Sequence, residues 1–204
     1  MALGFSVHTG WAAMTAVSGT ATSPVVLDRC RLEMIQGDPG HPRFVYHAAR
    51  GLEPEAAERF IRTCAELSRA KAHAALEGAV ERLRAQGYEV VASSILTSDR
   101  PLTALLESIL KSHSLVHSAE GELFRESIRS ASGAMGIPAI DVRFGDLDGR
   151  AARALGIDAG RLEQHLAGIG RAAGRPWARD QKQSYLAAVV ALLAPPPGRG
   201  RPSR

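Results

Sequence analysis

The chain has 204 residues, 45% of them hydrophobic and 23% charged, a balance that excludes a mostly disordered protein and suits one domain of ordinary size. The formal net charge is +4, but Arg199, Arg201 and Arg204 stand in the last ten residues without an acid, which leaves +1 for residues 1–194, too little for charge alone to argue a phosphate-binding surface. No apolar run reaches the roughly 20 residues of a membrane span, Met1 to Phe5 has no basic leader, and Cys30 and Cys64 are too few for a disulfide framework, so a cytoplasmic protein without membrane contact is expected.

Residues 2–35 read as strands. Leu3, Phe5 and Val7 alternate with Gly4 and Ser6, a second apolar run spans Trp11 to Val17, and Cys30, Leu32 and Met34 alternate with Arg29, Arg31 and Glu33. A period of two gives each strand two distinct faces, and the short turns between them predict an antiparallel meander. Gly37 to Pro42 is a loop. A long helix follows Pro54, with Phe60, Ile61, Cys64, Leu67, Ala74 and Leu83 at helical spacing and Gly87 as its stop. Tyr88 to Leu96 reads as a buried strand. Ser98-Asp99-Arg100-Pro101 resembles a helix start, and Leu102, Leu105, Leu106, Ile109 and Leu110 follow it. Leu115-Val116-His117 reads as a very short strand, Ser118 to Met135 as a helix capped by Ser118 and ended by Gly136, and Ile137 to Phe144 as a strand. Asp146 to Arg175 reads as short helices broken by Gly156, Gly160, Gly168 and Gly174, and a last helix runs from Arg179 to Ala194. Residues 1–194 thus form one domain, and the Pro/Arg-rich residues 195–204 read as a disordered tail, a solvated terminus before a nucleic-acid arm.

Three antiparallel strands followed by helix–strand alternation predict an α/β fold with a mixed five-stranded sheet and helices on both faces. This order resembles the ribonuclease H-like superfamily, which includes RuvC-type Holliday-junction resolvases. The resemblance rests on Leu3-Gly4-Phe5-Ser6-Val7-His8-Thr9-Gly10-Trp11-Ala12, on the strand ending at Thr97-Ser98-Asp99, and on Trp177-Ala178-Arg179-Asp180-Gln181-Lys182. It implies a first-strand Asp, an acid near Asp99 and a final carboxylate at Asp180. The first-strand Asp is absent: Ser6 or His8 stands there, depending on which glycine is aligned. Two-metal phosphodiester hydrolysis needs several anionic oxygens around two Mg²⁺ ions, and neither Ser nor His supplies one.

Sites in partly parallel sheets collect at the carboxyl ends of the parallel strands. His8-Thr9-Gly10, Thr97 to Asp99, His117 to Glu122 and Asp180 are expected to converge there. His8 follows a buried strand and reads as a base, a donor or a metal ligand, or as a turn residue. Thr9 and the Gly10 amide offer phosphate contacts, or form a plain hairpin turn. His117 and Glu120, three apart at the expected strand-to-helix junction, sit beside amides freed by the Ser118 cap, where an anion could bind. Glu120 reads equally well as a complement to the helix dipole. Asp180 begins the last helix, where an acid ordinarily complements the helix dipole, and also matches the last carboxylate by position; Arg179 and Lys182 beside it attract phosphate or pair with acids. His113 reads as a solvated loop residue, Glu33 as a solvated strand residue, and Trp11 and Trp177 as core or lid aromatics; His47 has no assigned place. No phosphate loop, dinucleotide fingerprint, zincin helix or nucleophile elbow is present, and Ser93-Ser94 lacks the flanking glycines of an elbow.

Two readings follow. One is a diverged hydrolase of phosphoesters or nucleic acid, with His8, His117, Glu120 and Asp180 catalytic and Thr9, Gly10, Arg179 and Lys182 on the substrate. Its partner is nucleic acid or a phosphorylated ligand, and Mg²⁺ or Mn²⁺ is the cation the resemblance allows. The other is a catalytically inactive binding or scaffold module.

Overall fold

The computed structural model describes residues 1–35 and 40–193. The expected tail and the first part of the Gly37 to Pro42 loop lie outside these residues. Five strands form one sheet: β1 (Ala2–His8), β2 (Trp11–Thr20), β3 (Ser23–Glu33), β4 (Ala92–Thr97) and β5 (Ala139–Arg143), in the order β3-β2-β1-β4-β5. β1, β2 and β3 pair antiparallel, whereas β1–β4 and β4–β5 pair parallel. The mixed sheet is therefore the one the element order predicts. The helices are α1 (Val45–Ala49), α2 (Pro54–Ala85), α3 (Leu106–Lys111), α4 (His113–Ala134), α5 (Leu147–Leu155), α6 (Leu162–Ala173) and α7 (Arg179–Leu193).

Strand parity divides the core into two layers. Leu3, Phe5 and Val7 of β1 join Ala12 and Met14 of β2 and Ile95 of β4 beneath α2 and α4, which contribute Cys64, Leu76, Leu83, Phe124 and Ile128. On the other face Val17, Leu96 and Val142 pack with Leu147, Leu155 and Leu166 and with Tyr185 to Val190 of α7. Buried Ser68 of α2 and Ser127 of α4 bond hydroxyl to hydroxyl at 2.8 Å, which satisfies both polar groups where these helices cross.

Gly4 sets the height of α7 above the sheet. A Cβ there would overlap the Ser184 carbonyl oxygen and the Ala188 amide nitrogen and lie 2.9 Å from the Ala187 carbonyl carbon, so the helix backbone rests directly on β1. Two polar contacts then fall into register along the same seam. Ser6 Oγ donates to Gln183 Oε1 at 3.3 Å, and the buried Thr15 and Ser184 hydroxyls meet at 2.7 Å.

The structure corrects five expectations. β4 begins at Ala92, not Tyr88, because Val91 is exposed and its amide goes to the Met1 carbonyl before regular pairing starts. No helix opens at Pro101; helix begins only at Leu106. Leu115-Val116-His117 is not a strand: α4 starts at His113, where the Ser112 side chain caps it by accepting from the Leu115 amide at 3.4 Å. Ser118 is therefore not the cap, and its hydroxyl bonds the Ser114 carbonyl inside the helix. Finally, Gly168 breaks nothing and lies within α6.

Both cysteines are protected by their surroundings. Burial pushes the Cys30 thiol up to about 11, with Asp28 adding to the rise, and burial also raises Cys64. Thiolate is the nucleophile, so neither residue is expected to react appreciably at pH 8. Ellman's reagent should detect less than about a tenth of a thiol per folded chain within minutes, rising to two on denaturation. Rapid modification of the folded chain would contradict this packing.

Candidate functional site

β1 and β4 run parallel, with Phe5 opposite Ile95, so His8 and Thr97 end their strands at the same edge of the sheet. The helices that return across the sheet bring further chain ends there. α4 starts at this edge after β4, α1 follows β3, and α7 presents its first turn. The expected convergence is real at this level, but the sheet divides it into two groups.

His8 and Asp180 form the first group. His8 shares the α7 face with Gly4 and Ser6. Because the Gly4 contact fixes α7, Asp180 in the first turn reaches back to the strand end. His8 Nε2 and Asp180 Oδ1 are 2.9 Å apart, with side-chain exposures of 40% and 28%. The His8 ring stacks on Trp11, its cross-strand partner, at 4.2 Å between centroids and 10° between planes. The Arg31 guanidinium lies 3.9 Å from the Trp11 ring and pairs with Glu33. Trp11 therefore serves as a prop for the histidine, and Glu33 is engaged with Arg31.

Thr9 and Gly10 make the tight turn after His8. Gly10 has a φ of 86°, a backbone that favours glycine, and its carbonyl accepts from the Met34 and Ile35 amides at 2.8 and 3.1 Å. Arg179 and Lys182 line a cleft of about 370 Å³ with Gln183, Trp177, Asp148 and Glu163. Lys182 lies 3.4 Å from Glu163, while Arg179 is exposed. Trp177 is half-buried, packs against the core layer under α7 and lines this cleft, and its indole N–H donates to the Leu166 carbonyl at 2.9 Å. Asp99 lies in a second cleft, of about 410 Å³, with Glu122, Arg129, Asp141 and Arg143, and accepts from the Gly145 amide at 2.9 Å.

His117 and Glu120 belong to the second group, on the α2/α4 face, and the expected helix-start anion site is absent there because α4 begins four residues before His117. Glu120 is 1% exposed and serves a neighbour. Its carboxylate accepts from the Val45, Tyr46 and His47 amides at 3.1, 2.8 and 3.2 Å, the first turn of α1. The residue before α1 is Phe44, which has no capping oxygen, so α4 supplies the cap from outside. Burial pushes the Glu120 carboxyl upward, and the His47, Tyr46 and Val45 donors pull it back.

Three histidines gather beside that cap. His113 and His117, one turn apart on α4, place their Nε2 atoms 3.0 Å from each other. His47 of α1 sits over them, its ring 4.8 Å from that of His117 and 5.7 Å from that of His113, with Nδ1 3.3 Å from Glu120 Oε1. His113 is thus a helix residue, not a loop residue, and His47 gains a place. The four-residue spacing of His113 and His117 was the one visible signal; nothing in the sequence ties His47 to them.

No family model matches the chain, and no curated protein matches it. Solved structures do. RuvC of T. thermophilus in complex with a Holliday junction substrate superposes with a TM-score of 0.55 at 11% identity, covering 93% of this chain and 90% of that one. A second Thermus thermophilus RuvC structure gives 0.51 at 12% identity, over 93% and 91%. At such identities the likeness concerns the fold, and it agrees with the strand order and pairing described above. The chain therefore has the ribonuclease H-like fold seen in RuvC.

Proposed function

We propose that this protein binds nucleic acid at the carboxyl edge of its sheet and hydrolyses a phosphoester there with the His8–Asp180 pair. The observation that carries this reading is the 2.9 Å contact between the end of β1 and the start of α7, where the resemblance expects two carboxylates. One carboxylate and one imidazole do not hold two Mg²⁺ ions. They do suit general acid–base work. An aspartate on Nε2 makes that nitrogen the donor, which leaves Nδ1 of the neutral ring as the acceptor. Nδ1 takes the proton of an attacking water, the water oxygen bonds phosphorus, and the leaving oxygen takes its proton from solvent. Trp11 holds the ring plane. Thr9, Gly10, Arg179 and Lys182 are the phosphate contacts in this reading. Glu120 leaves the catalytic set because it is committed to the amides of α1, and His117 because it stands with it on the other face of the sheet from His8.

One observation favours the inactive binding module instead: Ser6 and His8 stand where the resemblance places its first carboxylate. RuvC's Holliday junction makes a four-way junction the first substrate to try, beside duplex and single-stranded DNA and RNA. In the hydrolytic reading, His8→Ala and Asp180→Asn each lower the cleavage rate by about 10²- to 10⁴-fold without loss of binding. Binding without cleavage by the wild type would favour the module. Cleavage that is undiminished in both variants would remove the pair from the mechanism. With Arg179 and Lys182 as the two cationic phosphate contacts, binding is expected to weaken by only about tenfold between 50 and 200 mM salt.

A further inference from the structure

The sheet edge carries a second constellation that the His8–Asp180 reading leaves unused. His47, His113 and His117 each offer one ring nitrogen, and these nitrogens all lie within 4.8 Å of one another. We propose that these three histidines bind one zinc ion, with Glu120 orienting His47 and the fourth coordination position open to solvent.

Geometry argues for it first. Zinc–nitrogen bonds of about 2.0–2.1 Å in a tetrahedron put ligand nitrogens about 3.3–3.4 Å apart. The His113 and His117 Nε2 atoms already stand at 3.0 Å. Both rings are exposed, so small χ rotations bring them and His47 to that spacing. The backbone under them is fixed. Ser112 caps α4 one residue before His113, and four-residue spacing puts His113 and His117 on one face. Glu120 ties the first turn of α1 to α4 through three amides, which holds His47 over that face.

Chemistry argues for it next. Imidazole nitrogens without sulfur, together with an open position, form the donor set of three-ligand zinc sites. Glu120 Oε1, 3.3 Å from His47 Nδ1, is the carboxylate partner such a ligand needs: it makes Nδ1 the donor and leaves the lone pair of Nε2 for the metal.

The test uses tag-free full-length protein, stripped with EDTA and dialysed, then titrated with Zn²⁺ against a chromophoric chelator. One zinc per chain is expected, with a dissociation constant below about 1 μM. His113→Asn and His117→Ala each weaken it by about 100-fold or more. Both residues are exposed, so circular dichroism and the metal-free melting temperature should match the wild type. Zinc should raise the melting temperature of the wild type and of neither variant. Co²⁺ should give the strong visible bands of a four-coordinate ion in the wild type alone. His73→Asn, at a half-buried histidine of α2 that lies 3.9 Å from Glu77, should bind as the wild type does. Failure of the wild type to take up zinc, or equal affinity in the His113 and His117 variants, would overturn the proposal. Neither result depends on whether the protein cleaves nucleic acid.

Discussion

Gly4→Ala is expected to destabilise the protein by about 3 kcal/mol or more, although it adds one methyl group. The added Cβ meets the Ser184 carbonyl oxygen and the Ala188 amide nitrogen, which are backbone atoms and cannot rotate away. Relief requires α7 to rise from β1. That movement would strain the Ser6–Gln183 and Thr15–Ser184 bonds and draw Asp180 off His8. At roughly 2–4 °C per kcal/mol for a chain of this size, the melting temperature should fall by about 10 °C. Amide exchange should speed up along α7 before it does in α2. Gly149→Ala is the control, since Gly149 is exposed within α5 and a Cβ there meets nothing within 4 Å. It should stabilise the chain by about 0.5–1 kcal/mol. A Gly4→Ala protein that melts with the wild type would mean that α7 does not rest on β1 as described.

The second large effect is expected at Glu120, and it concerns folding rather than catalysis. Glu120→Ala leaves three amides at the start of α1 without an acceptor, in a place water reaches poorly. Each hydrogen bond to a charged group contributes about 1.5–3 kcal/mol, and orphaned buried donors cost about as much again. Partial relaxation of a five-residue helix limits the loss, so about 3–5 kcal/mol is expected. Denaturant unfolding followed by circular dichroism measures it. Glu120→Gln keeps one carbonyl acceptor for the amides and should retain more of the stability. A Glu120→Ala protein as stable as the wild type would refute the capping role and reopen a place for Glu120 in chemistry.

The two residues show why one part of the site could be read from the sequence and another could not. His8 was legible because a strand of period two places it at the strand end, and because the turn after it is short and rich in signal. Asp180 was legible because it begins the last apolar helix, where the resemblance places its final carboxylate. Each is a local pattern, and the parallel crossover rule supplies the edge where they meet. Ser112 was missed as a cap. Leu115 and Val116 form an apolar pair that suits a short strand as well as a helix, and periodicity does not separate the two over so few residues. Once the start of α4 was misplaced, the places of His113, His117 and Glu120 in the fold were misplaced with it.

By itself, the sequence determined the order of strands and helices, the alternation that gives β1 its two faces, and the replacement of the expected first carboxylate by Ser6 or His8. These are properties of neighbours along the chain, and hydrophobic period and turn chemistry encode them directly. Only the tertiary structure decided that Glu120 caps α1, more than 70 residues away in the chain, and that His47 joins His113 and His117. Those contacts arise from packing α1 against α4 over the sheet. No local preference of a glutamate or a histidine specifies its partner; the geometry of two packed elements does.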